Sequence, residues 1–260
     1  MKRIPFFLRN IRVNQWFNGL RFIRNIPPTS RPNMITPIRC FLAALIILLG
    51  CYCPVVWAAP DAHDFAVWEK EMSAFEQADG IKAPPQKAVL FIGSSTVRMW
   101  ASLAQDFAPV PVINRGFGGS EIVDSTHFAP RVIFPYAPRA IYLRAGGNDL
   151  WRGREVESVF SDFKDFVATI HAKLPDTDII FISLSPSPSR WKQKDRELAL
   201  NHLVSAFIQG KPHLRYIETF DLPLGPDGQP RPELFLADKL HFNSEGYKLL
   251  AAKVRPDLIH

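Results

Sequence analysis

The sequence predicts an α/β fold in which one parallel β-sheet lies between two layers of helices. Short apolar runs of four to seven residues recur along the chain after residue 87 and end in polar or glycine-rich turn residues. Segments with helical periodicity separate the runs, and this alternation is typical of βα repeats whose strands are buried on both faces. At 260 residues, the chain is long enough for one sizeable domain with a well-buried core and appendages.

The apolar runs are the predicted strands, and there are five of them. They cover residues 88–92, 110–113, 140–143, 178–184 and 214–220. Turn-forming segments directly follow the first three: Gly93-Ser94-Ser95, Asn114 to Gly119, and Gly146 to Asp149. Because ligands bind outside the carboxyl ends of the strands in such a sheet, we expect Ser95, Gly119 and Asn148 to converge on one crevice.

Segments with helical periodicity lie between or beside these runs. They are residues 61–79, 155–173, 192–209 and 243–254. The first has four apolar side chains at helical spacing between Phe65 and Phe75. We expect Asp61 to cap this helix, Gly80 to end it, and its apolar face to pack on the core of the domain.

Residues 1–58 are predicted to be a basic leader ahead of a single domain over residues 61–260. Eight of the 31 basic residues of the chain fall in residues 1–39, which hold no acidic residue. The rest of the chain therefore carries 23 basic and 25 acidic residues and is close to neutral. A near-neutral domain gives no electrostatic reason to expect nucleic acid as a partner.

The leader has the pattern of a signal peptide. Its apolar core, Phe41 to Leu49, is shorter than the roughly 20 residues that a membrane-spanning helix needs. Val56-Trp57-Ala58 is a small-residue pattern suited to cleavage after Ala58. We expect Met34 to be the true start, with residues 1–33 an over-extended translation or a cytoplasmic tail.

Two alternatives for the leader remain open. Residues 38–56 could stay uncleaved as a membrane anchor, or Cys51 could be acylated as in a lipoprotein signal. All three interpretations place the domain outside the cytoplasm, secreted or periplasmic if cleaved. The cysteines are Cys40, Cys51 and Cys53, so the mature domain would contain no disulfide, thiolate metal site or cysteine nucleophile.

Gly93-Ser94-Ser95 brings a hydroxyl residue to the end of a buried strand, just before a helix-compatible segment that begins at Thr96. Unpaired backbone N–H groups and the helix dipole favour developing negative charge at such a place, which suits a nucleophile. An ordinary βα loop with a serine N-cap accounts for the same residues. Other groups must decide between these interpretations.

His241 is the histidine best placed to serve such a nucleophile. It lies just before the last predicted helix, and Asp238 stands three residues upstream, close enough to hold the imidazole N–H across one turn. A loop with a helix-capping aspartate explains the same pair in isolation. Two of the other histidines, His63 and His127, lie in or beside helical segments with no polar cluster around them. We expect surface or capping roles for His171, His202 and His213, and His260 is the terminus.

Four segments together resemble, in order and spacing, the four blocks of the SGNH (GDSL-type) hydrolase superfamily. They are Gly93-Ser94-Ser95, Asn114 to Gly119, Gly146 to Asp149, and Asp238-x-x-His241. Each block alone is weakly specific, but four in order are specific, and the similarity covers roughly residues 64–256. The resemblance implies a flavodoxin-like, three-layer α/β/α sandwich with a five-stranded parallel sheet. It also implies ester hydrolysis without a metal or cofactor.

By the same resemblance, Ser95 is the nucleophile, His241 the base and Asp238 the third member of the triad. The implied oxyanion donors are the Ser95 and Gly119 backbone N–H groups and the Asn148 side-chain amide. The aspartate that usually precedes the nucleophile is Ser94 here. A branch resembling platelet-activating-factor acetylhydrolase also has serine there, so the nucleophile assignment stands. The difference weakens the inference of the local hydrogen bonding around Ser95, and with it any inference of the substrate from the commoner motif. An α/β-hydrolase elbow, Gly-x-Ser-x-Gly, would need a glycine where Val97 stands.

Three residues are predicted to line the substrate pocket. Trp151 follows the Asn148 block, and Arg190 and Trp191 follow the fourth strand. Aromatic rings and a guanidinium suit a sugar ring or a phospholipid head group, although the two tryptophans are equally suited to packing the loops. Asn201, on the helix beyond this loop, is expected to buttress it.

The predicted function is that of a secreted or envelope serine esterase acting on a small-molecule, lipid or glycan ester. A carbohydrate (acetyl) esterase and a lysophospholipase or short-chain esterase both remain open. The alternative from a different class is a catalytically silent envelope module that binds glycans or lipids.

Overall fold

The computed structural model describes residues 63–258, and the leader predictions for residues 1–58 lie outside them. The described chain contains a five-stranded parallel sheet in the order β2-β1-β3-β4-β5. Its strands are β1 (Val89–Gly93), β2 (Val112–Gly116), β3 (Ala140–Arg144), β4 (Asp178–Ile182) and β5 (Leu214–Ile217). This is the flavodoxin-like strand order, so the predicted fold class is confirmed.

Helices connect the strands and cover the sheet. They are α1 (Glu69–Ile81), α2 (Ser95–Arg98), α3 (Leu103–Asp106), α4 (Ile122–His127), α5 (Ala129–Val132), α6 (Gly147–Trp151), α7 (Val156–Lys173), α8 (Lys194–Ile208) and α9 (Ser244–Leu258). Short 3₁₀ helices cover Phe65–Trp68, Phe134–Tyr136, Pro188–Gln193 and Pro232–Leu234. Within residues 63–258, no helix is both long and apolar enough to cross a membrane.

Two apolar cores lie on opposite faces of the sheet. Successive residues of β1 alternate between them: Leu90 and Ile92 join the core under α1, α4, α7 and α8, whereas Val89 and Phe91 join the core under α2, α3 and α9. All five β1 residues are buried. The period of two residues along a strand thus explains why the predicted strands read as continuous apolar runs.

The first helix differs from its prediction at both ends. The chain forms a 3₁₀ turn at Phe65–Trp68 before α1, and the side chain of Asp64 caps it by accepting from the Ala66 N–H at 2.9 Å. The predicted cap, Asp61, lies outside the described residues. The helix continues through Gly80 to Ile81, because a glycine only lowers helix stability and does not forbid the helical conformation.

Strand β2 lies two residues later than predicted and includes the polar sequence Asn114-Arg115-Gly116. The Asn114 amide donates to the Val97 carbonyl at 2.7 Å. The Arg115 guanidinium is buried and is paired with Asp79 at 2.5 Å. Since sheet pairing uses backbone groups, polar side chains that find hydrogen-bond partners can occupy a strand.

Candidate active site

The sharp connection from β1 to α2 presents Ser95 as the first residue of a helix. Gly93 makes this connection possible, because its φ is +138° and a Cβ there would collide with the backbone oxygen of Arg144. Ser94 is the N-cap residue, and its N–H donates to the Arg144 carbonyl at 3.1 Å. The hydroxyl of Ser95 therefore projects from the carboxyl end of the sheet.

A chain of hydrogen bonds joins Ser95, His241 and Asp238. The His241 Nε2 lies 2.9 Å from the Ser95 Oγ, although the two residues are 146 positions apart. On the other side of the ring, Nδ1 lies 2.7 Å from the Asp238 Oδ2. Because an ionised carboxylate only accepts, Nδ1 carries the proton and Nε2 is left to accept from the Ser95 hydroxyl. The structure thus brings together the three residues of the predicted triad.

A tight loop holds His241 and Asp238 in this arrangement. The Asp238 Oδ1 accepts from the backbone N–H groups of Leu240 at 2.9 Å and His241 at 3.0 Å. The bond with the His241 side chain is the largest cause, and these two N–H bonds are further causes, of the lowering of the Asp238 pKa to about 2. The carboxylate therefore stays charged at neutral pH, and the Asp238 side chain is also 45% exposed to water, which favours the charged form.

The predicted oxyanion donors besides Ser95 are Gly119 and Asn148, which follow β2 and β3. Gly119 has a φ of +88° in the loop after β2, and the Asn148 Nδ2 donates to the carbonyl of the next residue, Ser120, at 2.9 Å. Among the residues described, no backbone carbonyl accepts from the N–H of Ser95 or of Gly119. These N–H groups are therefore available to a developing negative charge.

A buried carboxyl joins the two loops that carry these donors. Asp149, next to Asn148, is fully buried, and its Oδ1 accepts from the Ile122 N–H at 3.1 Å. Burial raises the pKa of Asp149 to about 7. Asp124 fixes the same loop from α4, since its Oδ2 accepts from the Glu121 N–H at 2.7 Å and its Oδ1 contacts His63 at 2.7 Å. This contact corrects the expectation that no polar group surrounds His63.

A cavity of about 70 Å³ opens beside Ser95 and His241. It lies near the carboxyl ends of β1 and β3, the topological switch point of this strand order. Its further lining includes Asn148, and Ser185, Ser187 and Arg190 from the loop after the fourth strand. It also includes residues that were not predicted there from the sequence: Arg144, Leu184, Glu197, Phe235, Leu240 and Phe242.

Two of these missed residues are buried and charged. Arg144 is 5% exposed and donates to Ser183, Ser185 and Thr219, and burial lowers its pKa to about 10. Glu197 is 4% exposed, and burial raises its pKa to about 7. A sequence signal existed for Arg144, because it is a charged residue at the end of an apolar run. Glu197 gave none, because it reads as a surface position of a helix.

The predicted pocket residues take different places. Arg190 lines the cavity, and its guanidinium carbon lies 5.0 Å from the centre of the Trp151 ring. Neither Trp151 nor Trp191 is among the described residues that line the cavity. The Lys194 ammonium lies 5.2 Å from the Trp191 ring.

Asn201 buttresses the loop after β4, as predicted. Its side chain bonds to both backbone groups of Leu184. The Asn201 Oδ1 accepts from the Leu184 N–H at 2.9 Å, and the Asn201 Nδ2 donates to the Leu184 carbonyl at 2.8 Å. This fixes the loop that leads on to Arg190. Within residues 63–258, no three His, Cys, Asp or Glu side chains are grouped so as to share a metal ion.

Comparisons with known proteins agree with the fold. The model of the GDSL-like lipase/acylhydrolase family matches residues 86–249. Among curated proteins, no sequence match is found.

Solved structures share the fold at low sequence identity. A protein from Streptococcus pneumonia described as a platelet activating factor has a TM-score of 0.66 and 20% identity, covering 73% of this chain and 92% of that chain. A GDSL-like lipase from Bacteroides thetaiotaomicron has a TM-score of 0.62 and 18% identity, covering 75% and 98%. An acetyl-xylooligosaccharide esterase from Geobacillus stearothermophilus has a TM-score of 0.55 and 15% identity, covering 67% and 95%.

Proposed function

The chain belongs to the GDSL-like lipase/acylhydrolase family and is an ester-bond hydrolase, and from this premise we propose that it cleaves esters of short acyl groups with Ser95 as nucleophile. The observation that carries the proposal is the continuous line of hydrogen bonds from Ser95 through His241 to Asp238. A nucleophile, a base within hydrogen-bond reach and a group that orients the base are what covalent acyl transfer requires.

The reaction proceeds in two steps, acylation of Ser95 and hydrolysis of the acyl-enzyme. The Ser95 Oγ attacks the ester carbonyl carbon while its proton passes to the His241 Nε2, and His241 then gives that proton to the departing alkoxide. A water molecule attacks the acyl-enzyme in the same way, and the Ser95 oxygen leaves with the proton. Asp238 holds the Nδ1 proton throughout and stabilises the imidazolium that forms in each step.

The negative oxygen of each tetrahedral intermediate is held by three donors. They are the backbone N–H groups of Ser95 and Gly119 and the side-chain amide of Asn148. The position of Ser95 at the start of a helix supports this assignment, and so does the contact of the Asn148 amide with the loop that carries Gly119. Such donors act most strongly where the developing charge is shielded from water.

The size and polarity of the cavity support a short acyl group. An engineered apolar cavity of about 150 Å³ holds one benzene molecule, and the cavity beside Ser95 has about half that volume, at about 70 Å³. The buried groups of Arg144 and Glu197 line it, and a long alkyl chain is a poor match for such a polar lining. The similarity in fold to an acetyl-xylooligosaccharide esterase is consistent with a short acyl group.

The proposal is tested with p-nitrophenyl acetate, butyrate, octanoate and laurate, followed by acetylated xylooligosaccharides and lysophosphatidylcholine. We expect kcat/KM to fall by about tenfold or more from the shortest to the longest acyl chains, since one badly fitting group typically costs that much. A rate that rises with chain length would contradict the short acyl group. A folded protein inactive on every ester would favour the alternative of a catalytically silent binding module.

The location of the domain is a separate proposal, because it rests on the leader sequence alone. We propose that the leader is cleaved after Ala58 and that the domain acts outside the cytoplasm on a lipid, glycan or small-molecule ester. A tether through residues 38–56 or through an acylated Cys51 is the competing arrangement. N-terminal sequencing of the protein from its native host decides the matter: a mature start at Met1 or Met34 would contradict cleavage.

A further inference from the structure

The side-chain amide of Asn148 is held at both ends. The Arg190 Nη1 donates to the Asn148 Oδ1 at 2.9 Å, and the Asn148 Nδ2 donates to the Ser120 carbonyl at 2.9 Å. A guanidinium can only donate and a carbonyl can only accept, so the two contacts determine which end of the amide carries the hydrogens. The second Nδ2 hydrogen is left for a group in the cavity that Asn148 and Ser95 both line.

Arg190 is itself fixed in place. Its guanidinium stacks on the Trp151 ring, and Trp151 lies on the same short helix as Asn148, α6. Gln193, from the same 3₁₀ segment as Arg190, donates to the Gly147 carbonyl at 3.1 Å and to the buried carboxyl of Glu197 at 2.7 Å. The segment Pro188–Gln193 therefore contacts α6 through several side chains.

The orientation of this amide matters for an oxyanion. An asparagine amide rotated by half a turn would present its oxygen, which repels a negative charge, instead of its N–H. The charged guanidinium on Oδ1 opposes that rotation, and it also polarises the amide so that its N–H becomes a stronger donor.

We propose that Arg190 is a positioning residue, which holds the Asn148 amide with its N–H directed at the carbonyl oxygen of the bound ester. The inference rests on the proposed function, because it concerns the same oxyanion. It differs from a substrate-binding role, in which the guanidinium of Arg190 would itself contact the acyl or alcohol group within the cavity.

The test is a double-mutant cycle with p-nitrophenyl acetate, using Arg190→Met, Asn148→Ala and the combined variant. Arg190→Met alone should lower kcat by about 10-fold to 100-fold, the range for losing a hydrogen bond to a charged group, with little change in KM. In the Asn148→Ala background, the same substitution should lower kcat by less than about twofold, because the group it positions is already gone.

Two further variants control the experiment. Arg190→Lys keeps the charge without the planar guanidinium, so it should recover part of the kcat lost in Arg190→Met. Lys192→Met removes an exposed positive charge from the same segment and should leave kcat within about twofold of wild type. Thermal unfolding of each variant shows whether it is folded, and Arg190→Lys in both backgrounds gives the same test if Arg190→Met does not fold.

Each outcome decides the inference. A full loss of kcat on adding Arg190→Met to Asn148→Ala would overturn it, and so would a loss confined to KM, which would make Arg190 a substrate contact. In either case, Asn148→Ala alone would still lower kcat and the proposed function would stand. If Asn148→Ala were as active as wild type, the assigned oxyanion hole would be wrong and the inference would fall with it.

Discussion

The two sides of the candidate site are held in opposite ways. On the base side, Asp238 and His241 are three residues apart in one exposed loop, and local hydrogen bonds hold them. On the oxyanion side, Asn148 is held by Ser120 and Arg190, which are 28 and 42 residues away in sequence. The base side thus depends on one short loop, whereas the oxyanion side depends on the packing of three loops against each other.

The carboxyl groups of the two sides show the same contrast. Hydrogen bonds lower the pKa of the exposed Asp238 to about 2, whereas burial raises the pKa of Asp149 to about 7. The charged form of Asp238 is the one that the fold favours, and the neutral form of Asp149 is favoured in the interior. We conclude that changes on the base side should affect mainly the chemistry, with little effect on stability, whereas changes on the oxyanion side should affect both.

The largest effect is expected from His241→Ala. Loss of the general base should lower kcat by about 10⁶-fold, while the free energy of unfolding should change by no more than about 0.5 kcal/mol because the site is near the surface. Steady-state kinetics and urea unfolding measure the two quantities. His202→Ala, at an exposed position of α8, is the control. A strongly destabilised His241→Ala would contradict the claim that this side is separable from the fold.

Asp238→Asn should have the next largest effect. An asparagine can still accept from the backbone, but it donates toward Nδ1 and favours the wrong tautomer of His241, so kcat should fall by about 10⁴-fold. Asp227→Asn is a matched control, since Asp227 also accepts from a backbone N–H two residues ahead, at 3.0 Å, in an exposed turn. A loss of less than tenfold in Asp238→Asn would show that Asp238 does not orient the base.

Asn148→Ala should cost less, because two backbone donors remain. Removal of one oxyanion donor typically lowers kcat by about 10²–10³-fold, with little change in KM. Steady-state kinetics on p-nitrophenyl acetate tests this directly. An effect confined to KM would assign Asn148 to ground-state binding and would remove it from the oxyanion hole.

The free energy of unfolding should depend on pH in opposite directions for the carboxyl groups of the two sides. Because the Asp149 pKa is raised from 3.8 to about 7 in the folded state, its contribution is fully present below about pH 4 and is lost as the pH rises through 7. The loss should be on the order of a few kcal/mol, and Asp149→Asn should flatten the curve over this range in urea unfolding. Asp238 acts in the opposite direction: its contribution to the free energy of unfolding is present above about pH 4 and is lost as the pH falls through 2. Solvent screening keeps this contribution small, because the Asp238 side chain is exposed. An unchanged slope in Asp149→Asn would contradict the account of its burial.

Trp151→Ala should have the smallest effect. It removes the aromatic surface on which the Arg190 guanidinium stacks, a contact worth about 0.5–1 kcal/mol at an exposed site. We expect kcat to fall by about two- to fivefold in ester hydrolysis. A much larger loss with a raised KM would instead support the sequence prediction that Trp151 contacts the substrate.

The sequence predicted the parts of the molecule that have a local pattern. Apolar runs and turn residues located all five strands, and the segments around Ser95, Asn148 and His241 were placed by order and spacing. The Asp238–His241 contact was predictable because both residues lie in one turn. The predicted bounds of β2 were wrong because its residues Asn114 and Arg115 are polar, and their hydrogen-bond partners are distant in sequence.

The contacts of Arg190 and Gln193 with Asn148 and Gly147 were not predictable in the same way. These hydrogen bonds join residues that are far apart in sequence and come together only when the sheet folds. No periodicity in the sequence marks Arg190 or Gln193 as neighbours of α6. Arg190 and Trp151 were singled out separately as pocket residues, but their stacking on each other emerges only from the packing of the two loops. The burial of Glu197 likewise emerges only from the packing of the folded chain, so the sequence did not predict it.

The nucleophile assignment is tested most directly by covalent labelling. A fluorophosphonate probe is added to wild type, Ser94→Ala and Ser95→Ala, and the labelled peptide is mapped by mass spectrometry. Labelling is expected at Ser95 in wild type and in Ser94→Ala, and none in Ser95→Ala, because the Ser95 hydroxyl is hydrogen-bonded to the His241 Nε2. Labelling that persists in Ser95→Ala, or that maps to Ser94, would contradict the account.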